Sequence, residues 1–345
     1  MTEPNAWLRE RPGPASVAQV MADIEGPDGG ARLGQFRPLA TGFQPLDEIL
    51  NGGIRPGELM VIAGPYGVGK TILALQMARN AVLADPDAVA IYICYEHDRT
   101  HLFSRLVCLE SAEVPDSSEN ALTLRKLGQL ADAPSEAGGL VRRLRRDPKN
   151  AAFLRVVGSY ADRLVLARAS GTHTSLDDIR RWVEDLQRET ASHVFVVVDY
   201  LQKIAYPGEL PGGEDELVTR LSHGLKEMAL DLGVPIMAIA AADRVSLRGQ
   251  RMRFSDLRGS SALQYESDVG IVLNNKYDIV SREHLIYNLS GAEAMRNWLV
   301  LTVEKNRAGR NAVDMEFAAD LAHFRILSQG AFVRERLIDG KTVLE

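Results

Sequence analysis

The chain has 345 residues, of which 46% are hydrophobic, enough for one large domain or two small ones. Its net charge of −6 at pH 7 excludes a basic surface over the whole protein, so any nucleic-acid contact requires a local patch. Cys94 and Cys108 are the only cysteines, too few for a disulfide framework or a zinc site. No apolar run reaches membrane-spanning length, and these features together predict a cytoplasmic protein.

Residues 1–38 are rich in Pro, Gly, Ala and charged residues and predict a flexible N-terminal tail. Within them, Ser16–Ile24 carries a narrow apolar stripe at helical spacing. A helix this short is marginal in water. The stripe is typical either of a fraying helix or of a linker helix that docks on a neighbouring subunit.

The compact part of the chain begins near Leu39. Apolar residues at helical spacing predict a helix over Thr41–Leu50, and the run Asn51-Gly52-Gly53 predicts its end in a left-handed turn.

The stretch GPYGVGKT, from Gly64 to Thr71, fits the phosphate-binding pattern G-x-x-x-x-G-K-[ST]. It follows an apolar strand pattern, Leu59–Ala63, and begins a helical pattern, Ile72–Ala78, which is the context this motif requires. Backbone N–H groups of the loop would surround the phosphates of ATP, Lys70 would reach the β- and γ-phosphates, and Thr71 would bind Mg²⁺. The predicted nucleotide-binding residues are Gly64, Pro65, Tyr66, Gly67, Val68, Gly69, Lys70 and Thr71.

Buried strand patterns then alternate with helices along the chain, and the last two strand patterns form a hairpin around residues 307–311. This order predicts an α/β fold with a mainly parallel twisted sheet, helices on both faces and a C-terminal β-hairpin. We expect one domain over residues 39–330 and a C-terminal tail over residues 331–345.

Two carboxylates follow strand patterns and should lie at the carboxyl edge of the sheet, where ligands of such folds bind. Asp199 ends the run Phe195–Asp199, a Walker B pattern, and would hold Mg²⁺ together with Thr71. Glu96 follows the strand after the P-loop helix and could activate the attacking water. The alternative for Glu96 is a solvated loop glutamate.

Several segments in order and spacing resemble the RecA-like motor domain of DnaB-type replicative helicases. They are TGFQPLDEILNGGIRPGELMVIAGPYGVGKT, YICYEHDRTHLFSRL, VVVDYLQKI, SDLRGSSALQYESDVGIVL and VEKNRAGRN, and the likeness covers roughly residues 39–327. The resemblance implies a RecA-like P-loop core that forms a hexameric ring around single-stranded DNA, with ATP between neighbouring subunits.

The resemblance also implies roles for individual residues. Glu96 matches the catalytic glutamate and Asp199 the Walker B aspartate, while Lys305 and Arg307 match a basic pair that reaches the next subunit's γ-phosphate. Ordinary surface charges on an exposed hairpin are the alternative for this pair. A segment matching the family's central-channel DNA loop contains Arg244, Arg248, Arg251 and Arg253, and a solvated basic loop is the alternative there.

Three departures from the family's pattern leave two functional classes open. Residues 1–38 stand where the family has a primase-interacting domain, Ala241 replaces a usual glutamine, and Gly259 replaces a usual acidic residue. The basic segment favours a DNA-translocating ATPase or helicase. The missing N-terminal domain and Ala241 favour a regulatory or assembly ATPase that acts on a protein partner without unwinding.

Overall fold

The computed structural model describes residues 13–26, 37–114, 121–132, 139–190, 193–208, 212–241, 251–257, 259–281 and 293–339. The first helix, α1 (Val17–Glu25), begins at Ser16, whose side chain and that of Gln19 form a reciprocal capping box. None of its residues is buried, and Val17 and Met21 are 77% and 57% exposed. Its apolar stripe therefore has no cover within the described residues, so the fraying-helix and docking-helix interpretations both stay predictions.

A central sheet with helices on both faces forms the rest of the fold. Its strands are β1 (Leu59–Ala63), β2 (Ala88–Cys94), β3 (Leu164–Arg168), β4 (His193–Asp199), β5 (Ile236–Ile239), β6 (Val269–Asn275), β7 (Trp298–Asn306), β8 (Val313–Asp320), β9 (Arg325–Ile326) and β10 (Ala331–Phe332). The remaining helices are α2 (Leu46–Ile49), α3 (Lys70–Ala84), α4 (Arg99–Glu113), α5 (Leu124–Ala131), α6 (Leu140–Arg146), α7 (Ala151–Tyr160), α8 (Leu176–Thr190), α9 (Gly213–Leu232), α10 (Ser260–Glu266) and α11 (Lys276–Ile279). None of the helices in the described ranges is both long and apolar enough to span a lipid bilayer.

The strand order is β10-β8-β7-β6-β1-β5-β4-β2-β3, with β9 paired to β8. The six strands from β6 to β3 are parallel, whereas β7, β8 and β10 join antiparallel. Every residue of β1 is buried, and its alternating side chains enter two separate cores on the two faces of the sheet. The predicted fold class is confirmed, including the C-terminal hairpin of β7 and β8.

The segment before β1 differs from its predicted helix. Only α2 is helical within 41–50, and the chain from Thr41 to Pro45 instead folds around the buried carboxylate of Asp47. That carboxylate accepts bonds from the Thr41 N–H at 2.8 Å, the Thr41 hydroxyl at 2.7 Å and the Gly42 N–H at 2.9 Å. The side chain thus replaces a helical turn, and Asn51 adopts the left-handed conformation that the sequence predicts, with φ 53°.

The C-terminal segment is not a tail over 331–339, and that prediction is wrong there. Strand β10 pairs with β8, and Ile338 N–H donates to the Ile279 carbonyl at 2.8 Å. Glu335 binds Lys276 Nζ at 2.8 Å. These bonds attach the segment to the sheet, so the domain extends at least to residue 339.

A buried ion pair ties α3 to α4 and generates a stability prediction. Glu110 has a side chain 1% exposed; it binds Arg79 Nη2 at 2.5 Å and accepts from the Tyr160 hydroxyl at 2.9 Å. Glu110→Ala should lower the free energy of unfolding by about 3–5 kcal/mol because it leaves a buried guanidinium unpaired. Asp185→Ala, which breaks an exposed pair with Arg188, should cost at most about 1 kcal/mol. Urea denaturation compares the two, and equal losses would contradict the assignment.

Candidate nucleotide-binding site

The loop between β1 and α3 has the shape that phosphate binding requires. Gly67 and Gly69 have φ angles of 77° and 108°, a backbone region that residues with a Cβ rarely adopt. A Cβ built on Gly67 would meet nothing within 4 Å, so the backbone there is open to an incoming group. The loop leads directly into the N-terminus of α3, where backbone N–H groups favour an anion. The geometry fits the P-loop that the sequence predicts.

Lys70 begins α3, and its ammonium lies inside the curve of the loop. Its Nζ donates to the carbonyl oxygens of Gly64 at 2.7 Å and Pro65 at 2.9 Å. Burial lowers the pKa of Lys70 to about 8, although the negative charges of Asp199 and Glu96 act in the opposite direction. The ammonium is buried and hydrogen-bonded to two neutral carbonyl oxygens, so a phosphate group would stabilise its charge.

Asp199 ends β4 beside the loop and is 1% exposed. Its Oδ2 accepts from the Tyr92 hydroxyl at 2.8 Å, and the Thr71 hydroxyl also hydrogen-bonds to this carboxylate. Burial raises the pKa of Asp199, while the bonds from Tyr92 and Thr71 partly oppose the rise. A hydroxyl and a carboxylate side by side are hard oxygen donors, so this pair fits a Mg²⁺ ion, whose charge would favour the ionised Asp199.

Glu96 follows β2, which pairs directly with β4. The N–H of its neighbour Tyr95 donates to the Asp199 carbonyl at 2.8 Å, so Glu96 lies at the same edge of the sheet as Asp199. The Glu96 side chain is exposed, and its negative charge opposes the lowering of the pKa of Lys70. Next to Glu96 a cavity of about 620 Å³ opens between the ends of β2 and β3, with Arg168 and Trp182 in its wall. Glu96 is therefore accessible to water, as a group that accepts a proton must be.

Lys305 and Arg307 lie at the other end of the sheet. Because β7 runs antiparallel to β6, Asn306 pairs with Val269 at the amino end of β6. Arg307 Nη1 lies 3.2 Å from Asp268 Oδ1, and the other oxygen of that carboxylate accepts from the N–H of Leu59 at 2.8 Å. Arg307 is thus beside the start of β1, whereas the P-loop begins at its end.

The length of β1 keeps this basic pair away from the P-loop of the same chain. Leu59–Ala63 is fully extended, and its four steps of roughly 3.3 Å separate the two ends by about 13 Å. The structure therefore brings Lys70, Thr71, Asp199 and Glu96 together and does not bring Lys305 and Arg307 to them.

Comparison with known proteins gives the family. The profile of the DnaB-like helicase C terminal domain matches residues 38–326. The chain belongs to this family. It is 29% identical to the replicative DNA helicase DnaB of Geobacillus stearothermophilus over 240 residues, which are 69% of this chain and 47% of that protein. It is 26% identical to the Mycoplasma pneumoniae replicative DNA helicase DnaB over 298 residues, which are 84% of this chain and 56% of that protein. The chain thus spans about half the length of these relatives.

Solved structures show the same fold. One of them, an isolated ATPase domain, has a TM-score of 0.69 at 20% identity, with 91% of this chain and 99% of that chain covered. A DnaB-like replicative helicase, solved in a study of its interactions with primase, has a TM-score of 0.66 at 20% identity, with 92% and 68% covered. The sequence-based resemblance to DnaB-type motor domains is confirmed.

The four arginines predicted to contact DNA in this DnaB-like domain differ in their surroundings. Arg244 and Arg248 lie outside the described residues. Arg251 is 7% exposed and binds both the Asp314 carboxylate and the Thr302 hydroxyl, the latter at 2.9 Å. Arg253 has a side chain 37% exposed and pairs with Glu304 and Asp339. Burial and pairing make Arg251 a structural residue, and the prediction that it contacts a DNA backbone is not supported.

The two other departures from the DnaB-like pattern have clear local surroundings. The main chain of Ala241 is held by Gln202, whose amide accepts from its N–H at 3.0 Å and donates to its carbonyl at 3.3 Å. Gly259 has φ 63°, and a Cβ there would lie 2.5 Å from Val218. Glycine is therefore required at position 259 by packing as well as by backbone conformation.

Two residues of the site region escaped the sequence interpretation. Tyr92 reads as one more apolar strand residue, yet its hydroxyl binds the Walker B carboxylate. Asp268 is a lone acid before an apolar strand, and its partners Leu59, Lys226 and Arg307 are distant in sequence. The only sequence signal for Asp268 is its position directly before an apolar strand, and this signal is weak because acids often flank buried strands.

The pKa of Lys70 predicts a pH dependence of phosphate binding. Because burial lowers the pKa of Lys70 to about 8, we expect the free protein to lose this proton above that pH and phosphate binding to restore it. The dissociation constant for a non-hydrolysable Mg–ATP analogue should be flat below pH 7 and rise above pH 8 by up to about tenfold per pH unit. Isothermal titration calorimetry measures it. Lys70→Arg is the control, because a guanidinium stays protonated and should show no such rise.

Proposed function

We propose that this DnaB-like domain hydrolyses ATP with Mg²⁺ as one subunit of a ring, and that each active site is shared by two copies. One observation carries the proposal: Lys70, Asp199 and the other groups proposed to act on phosphate, metal and water lie at the carboxyl end of the sheet, and Lys305 and Arg307 lie at the opposite end. A head-to-tail contact between copies would bring the two ends together, and repetition of such a contact closes a ring.

Within one chain, the P-loop N–H groups and Lys70 would hold the β- and γ-phosphates. Thr71 and Asp199 would hold Mg²⁺, which neutralises charge on the phosphate oxygens. Glu96 would orient the attacking water and accept its proton as the water oxygen bonds to the γ-phosphorus. The bond from that phosphorus to the bridging oxygen breaks, and ADP and phosphate result.

The neighbouring copy would supply Lys305 and Arg307 to the γ-phosphate. Cations placed there stabilise the charge of the transition state, and a trans arginine contributes about 10³–10⁵ in rate in enzymes of this type. The hairpin that carries them is firmly attached: Asn306 donates to the Ile49 carbonyl at 2.9 Å, and Asn51 donates to the Ala308 carbonyl at 2.7 Å. Such attachment suits a group that must be presented accurately to another subunit.

We further propose that the ring is a hexamer that binds and translocates on single-stranded DNA. The family membership and the relatives named as replicative DNA helicases support this proposal. Arg244 and Arg248 stay as proposed phosphate contacts, and Arg253, whose side chain is 37% exposed, stays as a third candidate. The alternative is a regulatory or assembly ATPase with a protein partner. Ala241, which replaces a glutamine usual in the family, favours this alternative.

The shared site predicts complementation between two inactive variants. Glu96→Gln should keep nucleotide binding and lose turnover, and Arg307→Ala should lose about 10³-fold or more in kcat. Mixed in equal amounts, they should regain activity, since about one interface in four of a random ring joins an intact Glu96 to an intact Arg307. Steady-state ATPase assays measure the recovery, and native mass spectrometry shows whether mixed rings form.

The control for complementation is a mixture of Glu96→Gln with Lys70→Ala. Both substitutions damage the same end of the sheet, so no interface between these variants is intact and activity should stay absent. Wild-type turnover in Glu96→Gln, or full turnover by a strict monomer, would reject the shared site.

The DNA proposal predicts that single-stranded DNA stimulates ATP hydrolysis. Arg244→Ala with Arg248→Ala should reduce the stimulation and lower the salt slope of binding by about 0.7 for each phosphate that is no longer neutralised. Basal ATPase activity should stay unchanged. ATPase assays with and without an oligonucleotide, and fluorescence anisotropy at several salt concentrations, measure both effects.

The matched control removes two arginines from α6, Arg142 and Arg145, which lie at exposed positions. That variant should keep the wild-type salt slope and the wild-type stimulation. Basal activity with no response to DNA in the wild-type protein would favour the regulatory ATPase.

A further inference from the structure

The two trans cations are held at a defined place in their own subunit. Arg307 Nη2 donates to the carbonyl oxygen of Tyr265 at 2.5 Å, and Lys305 Nζ donates to the carbonyl oxygens of Gln264 and Tyr265. Both carbonyls belong to the last turn of α10, which has no further helical N–H groups to bind them. The end of α10 and the carboxylate of Asp268 thus form one docking place for the pair.

Asp268 is the centre of this docking place and uses both of its oxygens. Oδ2 accepts from the Leu59 N–H at 2.8 Å and from Lys226 Nζ at 2.7 Å, while Oδ1 faces Arg307 Nη1 at 3.2 Å. The Asp268 main chain makes two more hydrogen bonds. The Asp268 N–H donates to the Leu59 carbonyl at 2.8 Å, and the Asp268 carbonyl accepts from the Arg307 N–H at 3.0 Å. One residue therefore joins the P-loop strand to the hairpin that carries Arg307.

The local charges show that Arg307 is oriented without being neutralised. The Asp268 side chain is 9% exposed and already pairs with Lys226, whose side chain is 14% exposed. Arg307 is the second cation on the same carboxylate, and its side chain is 52% exposed. Lys305 adds a third positive charge, and burial together with the charge of Arg307 lowers its pKa. Glu266 compensates only in part, so the cluster is positive and would favour a phosphate of a neighbouring copy.

We propose that Asp268 is a positioning residue for the trans step: it orients Arg307 of its own chain toward the ATP bound by the adjacent copy. This inference rests on the proposed shared site. Asp268 touches no reacting atom in this scheme; it acts through Arg307 by limiting the directions that the guanidinium can take. Because the contact of Arg307 with Asp268 is 3.2 Å long and shared with Lys226, the guanidinium can turn to a phosphate oxygen while its Nη2 stays bonded to Tyr265.

The test is Asp268→Asn, which is isosteric and keeps an oxygen for the Leu59 N–H but removes the charge that orients Arg307. A misplaced catalytic group costs on the order of 10–10²-fold, so kcat should fall by about that factor while KM for ATP changes less than about twofold. Asp231→Asn is the matched control. Asp231 lies on α9, the helix that also carries Lys226, and forms an exposed ion pair with Arg180. Removing its charge should leave the wild-type kcat unchanged.

Mixed rings separate a positioning role from a structural one. In a ring of mixed subunits, the Asp268→Asn subunit supplies an intact Glu96 and the Glu96→Gln subunit supplies an intact Asp268. If Asp268 acts through Arg307, this mixture should therefore recover activity. The recovery should equal that of the mixture of Arg307→Ala with Glu96→Gln. If Asp268 only supports the P-loop strand of its own chain through Leu59, no mixed interface is intact and activity does not return. That result, with the Arg307→Ala mixture active, overturns the inference and leaves the proposed function standing.

Two further outcomes are decisive. Wild-type kcat in Asp268→Asn overturns the inference, and failure of the Arg307→Ala mixture rejects the shared site and the inference with it. If Asp268→Asn melts well below Asp231→Asn, Asp268→Glu takes its place. The glutamate keeps the charge but displaces it by one methylene, and it should show the same fall in kcat and the same recovery in mixed rings.

Discussion

The hydrogen bonding of β1 is the constraint on which the rest of the structure depends. This five-residue strand is buried on both faces and bonded on both edges, to β5 and to β6. Its carboxyl end turns into the P-loop, and its amino end is capped by the carboxylate of Asp268. Because buried backbone groups must be paired, the strand has little freedom to shift, and both functional ends of the domain are fixed relative to each other.

The change from parallel to antiparallel pairing after β6 decides where the candidate site residues lie. Parallel strands bring Lys70, Asp199 and Glu96 to one edge, as their order in the sheet requires. The antiparallel β7 ends at the opposite edge and carries Lys305 and Arg307 there. The two groups of residues proposed to act on ATP thus lie at opposite ends of the sheet in one chain, and this geometry is the physical reason for proposing a ring.

Charges have different roles at different depths in this protein. Lys70 is buried close to two carboxylates and still has a lowered pKa, which is the property of a site that gains from an added anion. Arg251 is also buried, yet its partners Asp314 and Thr302 belong to the sheet and leave its charge no external role. Arg307 is intermediate between Lys70 and Arg251, because half of its side chain is exposed and its partner, the Asp268 carboxylate, also pairs with Lys226.

The sequence by itself determined the fold class, the P-loop and the two carboxylates at the carboxyl edge, since these depend on local patterns: an apolar strand, a glycine turn, or an acid directly after a strand. It could not show that Thr41–Pro45 folds around Asp47 or that residues 331–339 join the sheet, because both depend on side chains and edges supplied elsewhere. The tertiary structure alone decided that Arg251 is buried and that Asp268 holds Arg307. The reason is physical: whether a charge is buried, paired or available depends on partners such as Asp314, which lies 63 residues from Arg251, and local periodicity carries no information about them.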